Sequence, residues 1–217
     1  MPRVAYTTRV GVGVEGETPA GFAAHVDATL VDARGWKKYG YEFVRDEKNP
    51  KLVLNLEPSD RANAMCHASG FSCWREKEDD IVIHLGNWLG GSKSRLGLDR
   101  YRTYVINHEV GHYLGLEHQE CPIGECNRRG MKNCPASVMQ QMTRGPEHVS
   151  PCVESDWPLD PDWITDDPKF GTLRRPARSP IVYIIVVVLI IIVCCVAYLL
   201  GWRSRKMRAK VASTAMP

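Results

Sequence analysis

A stretch with three histidines at fixed spacing constrains this chain more than any other feature. His108 and His112 are four residues apart, so on a helix both side chains lie on one face, one turn apart. Two imidazoles placed in this way can share one tetrahedral zinc ion. Gly115 can adopt a positive φ that ends the helix, and the chain can then bring back His118 as a third ligand. Three protein ligands leave one position open, which is typical of a catalytic zinc site.

Glu109 directly follows the first histidine and is the candidate catalytic residue. Its position beside the metal suits a general base that accepts a proton from water. The alternative interpretation is a buried helix with incidental histidines, or a site that has lost its metal. A chance match to HExxH is expected in roughly one chain in a hundred of this length, and Gly115 and His118 lower that to about one in 10⁵.

The stretch HEVGHYLGLEH resembles HExxHxxGxxH, the signature of the metzincin clan of zinc endopeptidases. That clan has a methionine-bearing loop beneath the zinc, the Met-turn, and the segment SVMQQ places Met139 there. The alternative role for Met139 is ordinary core filling. The chain is also similar to a family of bacterial secreted, metzincin-like domains without a defined function, from about Tyr6 to Trp163. It departs from that family at Gly124 to Cys134, an insertion with its own cysteine pair, and at the C-terminus.

The features that carry this second resemblance are spread along the chain. They are a cysteine pair, a strand ending in tryptophan, the helix of the histidine motif, a Cys-Pro pair, the VMQQ segment and a late cysteine before Trp-Pro: Cys66 and Cys73, Ile81 to Trp88, Tyr101 to Gly115, Cys121-Pro122, Val138 to Gln141, and Cys152 with Trp157-Pro158. The resemblance implies an α+β fold in residues 1–163. We expect a metzincin-like zincin domain with a small twisted sheet, two main helices and a cleft that holds Zn²⁺.

The sequence pattern predicts two helices for this domain. Thr18 is a good N-cap before Pro19, and Gly35 is suited to close the first helix. His25 lies off the apolar face of that helix, so we expect it to be exposed to solvent. Asp99 can cap the second helix, which is apolar on two sides and therefore buried. Gly111 in that helix would let another backbone approach closely.

The predicted strands are short and rich in β-branched residues. They comprise residues Val4 to Val14, Tyr41 to Val44, Leu52 to Leu56 and Ile81 to Leu85. The metzincin resemblance implies that the last of them borders the cleft as an exposed edge. An extended substrate would then pair with that edge by β-augmentation.

Six of the eight cysteines lie outside the apolar C-terminal run, and their even number indicates disulfides in an oxidising compartment. Six cysteines allow fifteen pairings, and spacing alone does not choose between them. The preferred pairs are Cys66–Cys73, Cys126–Cys134 and Cys121–Cys152. The competing interpretation is a second, structural zinc among Cys121, Cys126 and Cys134, although the sequence has no CxxC pair.

The net charge of +3 is unevenly distributed. Eight of the 28 Lys and Arg residues lie at or after Arg174 and no Asp or Glu does, so the part before it has a net charge of −5. An acidic domain without a basic face argues against nucleic acid as the partner.

The C-terminal part predicts a membrane anchor. Residues 164–180 form a proline-rich linker, and 181–202 contain twenty consecutive uncharged residues, the length of a transmembrane helix. Residues 203–217 form a short basic tail. No signal peptide is recognised, which suits a tail anchor with a cytosolic domain. The disulfides and the basic tail favour the opposite topology, with the domain on the non-cytosolic or virion-surface side.

The function expected from the sequence is a membrane-anchored zinc endopeptidase. His108, His112 and His118 would hold the metal and Glu109 would act as base, with a peptide or protein as substrate. Two alternatives remain open. One is a non-catalytic, zinc-stabilised membrane or envelope binding module, and the other is a zinc amidase acting on cell-wall peptides. Substrate specificity and oligomeric state are not readable from the sequence.

Overall fold

The structure is a computed structural model that describes residues 3–161 and residue 173. This part of the chain has a mixed α/β fold with a five-stranded sheet. The helices and strands follow one another as β1 (Arg3–Val10), α1 (Pro19–Val31), β2 (Glu42–Arg45), β3 (Leu52–Glu57), α2 (Ser59–Cys66), β4 (Cys73–Arg75), β5 (Asp80–His84), α3 (Leu85–Gly90), α4 (Leu98–Tyr113) and α5 (Ile123–Arg128). Three short 3₁₀ turns complete the description: Trp36–Tyr39, Met142–Arg144 and Pro146–His148.

The strand order of the sheet is β2-β1-β3-β5-β4. Strands β2, β1, β3 and β5 are mutually parallel, while β4 runs antiparallel to β5. Strands β3 and β5 lie inside the sheet, which explains their near-continuous apolar sequences. The prediction that Ile81 to Leu85 forms an exposed edge is therefore wrong, because β3 and β4 cover β5 on its two sides. The edge beside it is β4, three residues that give little strand signal in the sequence.

Helix α1 begins as predicted. The Thr18 hydroxyl accepts a hydrogen bond from the Gly21 amide at 2.9 Å, and Pro19 is the first helical residue. The predicted closure at Gly35 is wrong. The helix ends at Val31, and the extended backbone of Asp32 breaks it (ψ 136°). Gly35 has a negative φ of −82° and instead precedes the 3₁₀ turn of Trp36.

The expectation that His25 is exposed is also wrong. Its ring is half-buried against Trp88, with ring centroids 5.4 Å apart, and a ring nitrogen lies 3.2 Å from the Thr103 hydroxyl. His25 thus lies in the contact between α1 and α4.

Helix α4 is buried along most of its length, as its apolar sequence predicts. Its N-cap is Gly97, so Asp99 lies in the first turn and the predicted cap is wrong. The close approach at Gly111 comes from side chains, not from a second backbone. A Cβ there would overlap the sulfur of Met139 and lie 3.0 Å from the Trp36 ring.

Three disulfides join the six cysteines of the domain in the pairs preferred from the sequence. They are Cys66–Cys73, Cys121–Cys152 and Cys126–Cys134. Because these sulfurs are bonded to each other, they are not thiolates that could hold a second zinc. The Cys66–Cys73 bond ties the end of α2 to the start of β4.

The predicted linker, transmembrane helix and tail, residues 164–180, 181–202 and 203–217, lie outside the described residues, apart from residue 173. Within the described part, no helix has the length and apolar character needed to cross a bilayer.

Candidate metal centre

Helix α4 and the turn after it bring the three predicted ligands together. His108 and His112 project from successive turns of the helix. Gly115 then has a φ of +96°, and the Leu116 amide donates to the Gly111 carbonyl at 2.9 Å, so the chain reverses direction. One ring nitrogen from each of His108, His112 and His118 lies within 4.8 Å of the other two.

The spacing of these nitrogens fits a tetrahedral ion. The Nε2 atoms of His112 and His118 are 3.2 Å apart. Two imidazole nitrogens at the usual zinc distance of about 2.0–2.1 Å in tetrahedral geometry are separated by about 3.3 Å. The donor set of three imidazoles is also one that zinc uses in catalytic sites.

Hydrogen bonds orient two of the three imidazoles. The Nδ1–H of His108 donates to the Val138 carbonyl at 2.8 Å, and that of His112 donates to the Leu116 carbonyl at 2.7 Å. With the proton on Nδ1, the lone pair is on Nε2, the nitrogen that faces the site. Burial lowers the pKa of all three histidines, that of His118 to about 4. The rings are therefore neutral near pH 7, as metal ligands must be.

Tyr104 links the helix to the segment beneath the site. Its hydroxyl donates to the Gln140 carbonyl at 2.8 Å and accepts from the Met142 amide at 3.0 Å, and its ring centroid lies 5.3 Å from that of His108. Tyr104 lies four residues before His108 and so shares its face of α4, but no sequence motif indicates this bracing contact.

Met139 is buried in a turn next to His108, whose ring bonds the carbonyl of the preceding residue, Val138. Its sulfur packs against Gly111, one residue before His112. The Met139 carbonyl accepts from the Gln119 amide at 3.1 Å, directly after His118. Residue 139 is thus in contact with both chain segments that carry the ligands.

Glu109 lies on the cleft wall with the three histidines. Its side chain is buried, and burial raises the pKa of its carboxyl to about 8, against a smaller opposing effect from the Trp74 backbone. No ion pair with a Lys or Arg is seen for Glu109 within residues 3–161. A carboxyl group with a pKa near neutrality can both accept and return a proton at physiological pH.

The cleft in front of the histidines has a volume of about 700 Å³. One wall is the chain from Phe71 to Glu76, which includes β4, and the other is the segment from Gln141 to Arg144. The Trp74 ring packs edge-on against Tyr113 at 5.0 Å, which fixes β4 to the end of α4. The sequence did not identify Phe71, Trp74 or Arg144, because they lie in loops and a three-residue strand without a recognisable motif.

Residues 3–170 match the DUF3152 family, described as a protein of unknown function. The chain belongs to the DUF3152 family. The match includes all three histidines, Glu109, Met139 and the six disulfide-bonded cysteines. No curated protein and no solved structure matches the chain. The family description assigns no activity.

Proposed function

We propose that this protein is a zinc-dependent endopeptidase. The observation that carries the proposal is the convergence of three neutral imidazoles beside a buried carboxyl group on the wall of an open cleft. The HExxHxxGxxH spacing and the methionine under the ligands support the same conclusion, because both are features of metzincin zinc endopeptidases. A purely structural zinc site has no need of a general base.

His108, His112 and His118 would hold the ion. When bound, zinc acts as a Lewis acid that polarises a substrate carbonyl and acidifies water. The carboxylate of Glu109 accepts a proton from the attacking water and then donates it to the leaving amine. The carbonyls of Val138 and Leu116 keep the ligand rings oriented throughout the reaction.

Strand β4 supports a peptide as the substrate. Among the described residues it pairs with β5 alone, and its residues Cys73 and Trp74 line the cleft. An extended peptide can add to this edge through backbone hydrogen bonds, which do not depend on its sequence. This contact would hold the peptide alongside Glu109.

We also propose that residues 181–202 anchor the protein in a lipid bilayer, with the domain on the non-cytosolic or virion-surface side. The twenty uncharged residues support the anchor. The three disulfides of the domain support an oxidising compartment.

The test is zinc content combined with cleavage of a denatured protein substrate by the full chain. We expect one zinc per chain and cleavage that a chelator abolishes. Glu109→Ala should retain the zinc and the fold but lose about 10²–10⁴ in kcat/KM, because the base is gone. Glu120→Ala removes an exposed carboxylate outside the cleft wall and is the matched control.

Full activity of Glu109→Ala would rule out this mechanism. Bound zinc without cleavage by the unmodified chain would favour the non-catalytic binding module. Release of cell-wall muropeptides without proteolysis would favour the amidase.

A further inference from the structure

Arg144 is a cation in the wall of the zinc cleft, and no contact within the site accounts for its charge. Its side chain is exposed and lines the cleft together with His118 and Phe71. Within residues 3–161, Arg144 forms no ion pair with a carboxylate, and the contact of its guanidinium is with the ring of Phe71. The guanidinium donors are therefore available to a ligand in the cleft.

The backbone at Arg144 is held firmly. Arg144 ends the 3₁₀ turn that begins at Met142, whose side chain is fully buried and whose amide donates to the Tyr104 hydroxyl at 3.0 Å. The Arg144 amide donates to the Gln141 carbonyl at 3.1 Å, and the Thr143 hydroxyl lies 3.1 Å from that of Tyr101. Arginine on such a segment loses little further backbone entropy when it binds a ligand.

Phe71 holds the guanidinium from the opposite wall. The carbon at the centre of the guanidinium lies 5.3 Å from the centroid of the Phe71 ring, within cation–π range. A cation–π contact does not consume the five N–H donors of the guanidinium, which can bind a carboxylate in a bidentate manner.

Charge is distributed unequally along the cleft. Phe71 lies just before the start of β4 and is in contact with Arg144, whereas Glu76 follows the end of the strand. A second depression adjoins the Arg144 end and contains both Lys93 and Glu147, whose charges oppose each other. A peptide along β4 therefore meets the cation of Arg144 near the start of the strand and the carboxylate of Glu76 after its end.

The direction of a bound peptide follows from β4. Antiparallel strand pairs are more stable and more common than parallel ones, so we take the peptide to run opposite to β4. Its chain then passes from the Glu76 end, past Trp74 and Glu109, to Phe71 and Arg144. Residues after the scissile bond reach Arg144.

We propose that Arg144 is a specificity-determining residue that binds a carboxylate on the C-terminal side of the scissile bond, so that the preferred substrates carry an acidic group there. This inference rests on the proposed endopeptidase function for its substrate class. The carboxylate has two sources, an Asp or Glu side chain or the free C-terminus of a short peptide. Both present the same oxygens to the guanidinium fork.

The experiment compares matched peptides with the zinc-loaded full chain. Each peptide carries Glu or Gln at one position before or after the scissile bond, with either a free or an amidated C-terminus. For the unmodified chain we expect kcat/KM about tenfold higher with Glu than with Gln after the scissile bond. That ratio should fall to about one in Arg144→Gln and recover partly in Arg144→Lys. Arg9→Gln, which removes an exposed cation outside the cleft, should keep the full ratio.

The same peptides are titrated calorimetrically into Glu109→Ala, with and without Arg144→Gln, so that binding is read without turnover. Cleavage without any carboxylate preference, or a preference that Arg144→Gln preserves, overturns the inference and leaves the endopeptidase intact. Arg144-dependent carboxylate binding without cleavage by the unmodified chain overturns the endopeptidase and supports the carboxylate site. If kcat/KM depends on Arg144 only for peptides with a free C-terminus, the carboxylate that Arg144 binds is that of the peptide's chain end. Absence of both cleavage and binding overturns both proposals.

Discussion

The contact between Gly111 and Met139 gives the sharpest test of how the ligand helix sits on the turn beneath it. A methyl group at position 111 would overlap the Met139 sulfur and lie 3.0 Å from the Trp36 ring, and both of these side chains are buried in the core. Extra volume in a packed core costs about 1–3 kcal/mol. Alanine in place of glycine in a helix recovers up to about 1 kcal/mol. Because neither neighbour can move into solvent, we take the upper end of the overpacking cost, about 3 kcal/mol, and subtract the ~1 kcal/mol recovered. We therefore expect Gly111→Ala to lower the free energy of unfolding by about 2 kcal/mol.

The assay is urea denaturation in the presence of a chelator, so that zinc binding does not add to the measured stability. Gly124→Ala is the matched control, because a Cβ in that helix meets no atom within 4 Å. It should be neutral or stabilising by up to about 1 kcal/mol. Met139→Ala removes the overlapping sulfur, so in that background Gly111→Ala should cost less than about 1 kcal/mol.

Two results would refute the reasoning. The first is a Gly111→Ala variant as stable as the unmodified protein. The second is an equal loss with and without Met139→Ala, which would show that the two residues are not in contact.

Two further predictions concern the whole domain. Replacing Cys121 and Cys152 by Ala should lower the free energy of unfolding by about 3.7 kcal/mol, because this bond closes a loop of 31 residues. Replacing Cys66 and Cys73 should lower it by about 2.4 kcal/mol, because that loop has 7 residues. Equal losses in urea denaturation would contradict the dependence on loop length. Burial lowers the pKa of His25 in the folded state, so the unfolded chain binds that proton more tightly and stability falls as the pH drops through about 6.5. Acidification from about pH 7.5 to 5.5 should therefore destabilise the unmodified chain more than His25→Gln, and an identical pH dependence of the two in urea denaturation would contradict this.

Much of the candidate site follows from local sequence. The offsets between His108, His112 and His118 determine which ring nitrogens can meet, because the helix repeat and one glycine turn fix the path of the chain. The start of α1 at Thr18 and Pro19 was readable for the same reason, since a cap and a proline act within one turn.

The parts that could not be predicted depend on tertiary contacts. Strand β4 has three residues and exists because β5 and the Cys66–Cys73 bond hold it in place. Asp99 is a better cap by type than Gly97, yet the helix begins two residues earlier than it would with Asp99 as its cap. Arg144 belongs to no motif, and its place in the cleft follows from the burial of Met142.

The position of the metal tests the central claim most directly. Crystals of the zinc-loaded protein should give an anomalous difference peak at the zinc edge about 2.0–2.1 Å from a ring nitrogen of each of His108, His112 and His118. One coordination position should face the cleft and the Glu109 carboxylate. A peak at the cysteines, no peak, or a His118 ring turned away into solvent would contradict the account.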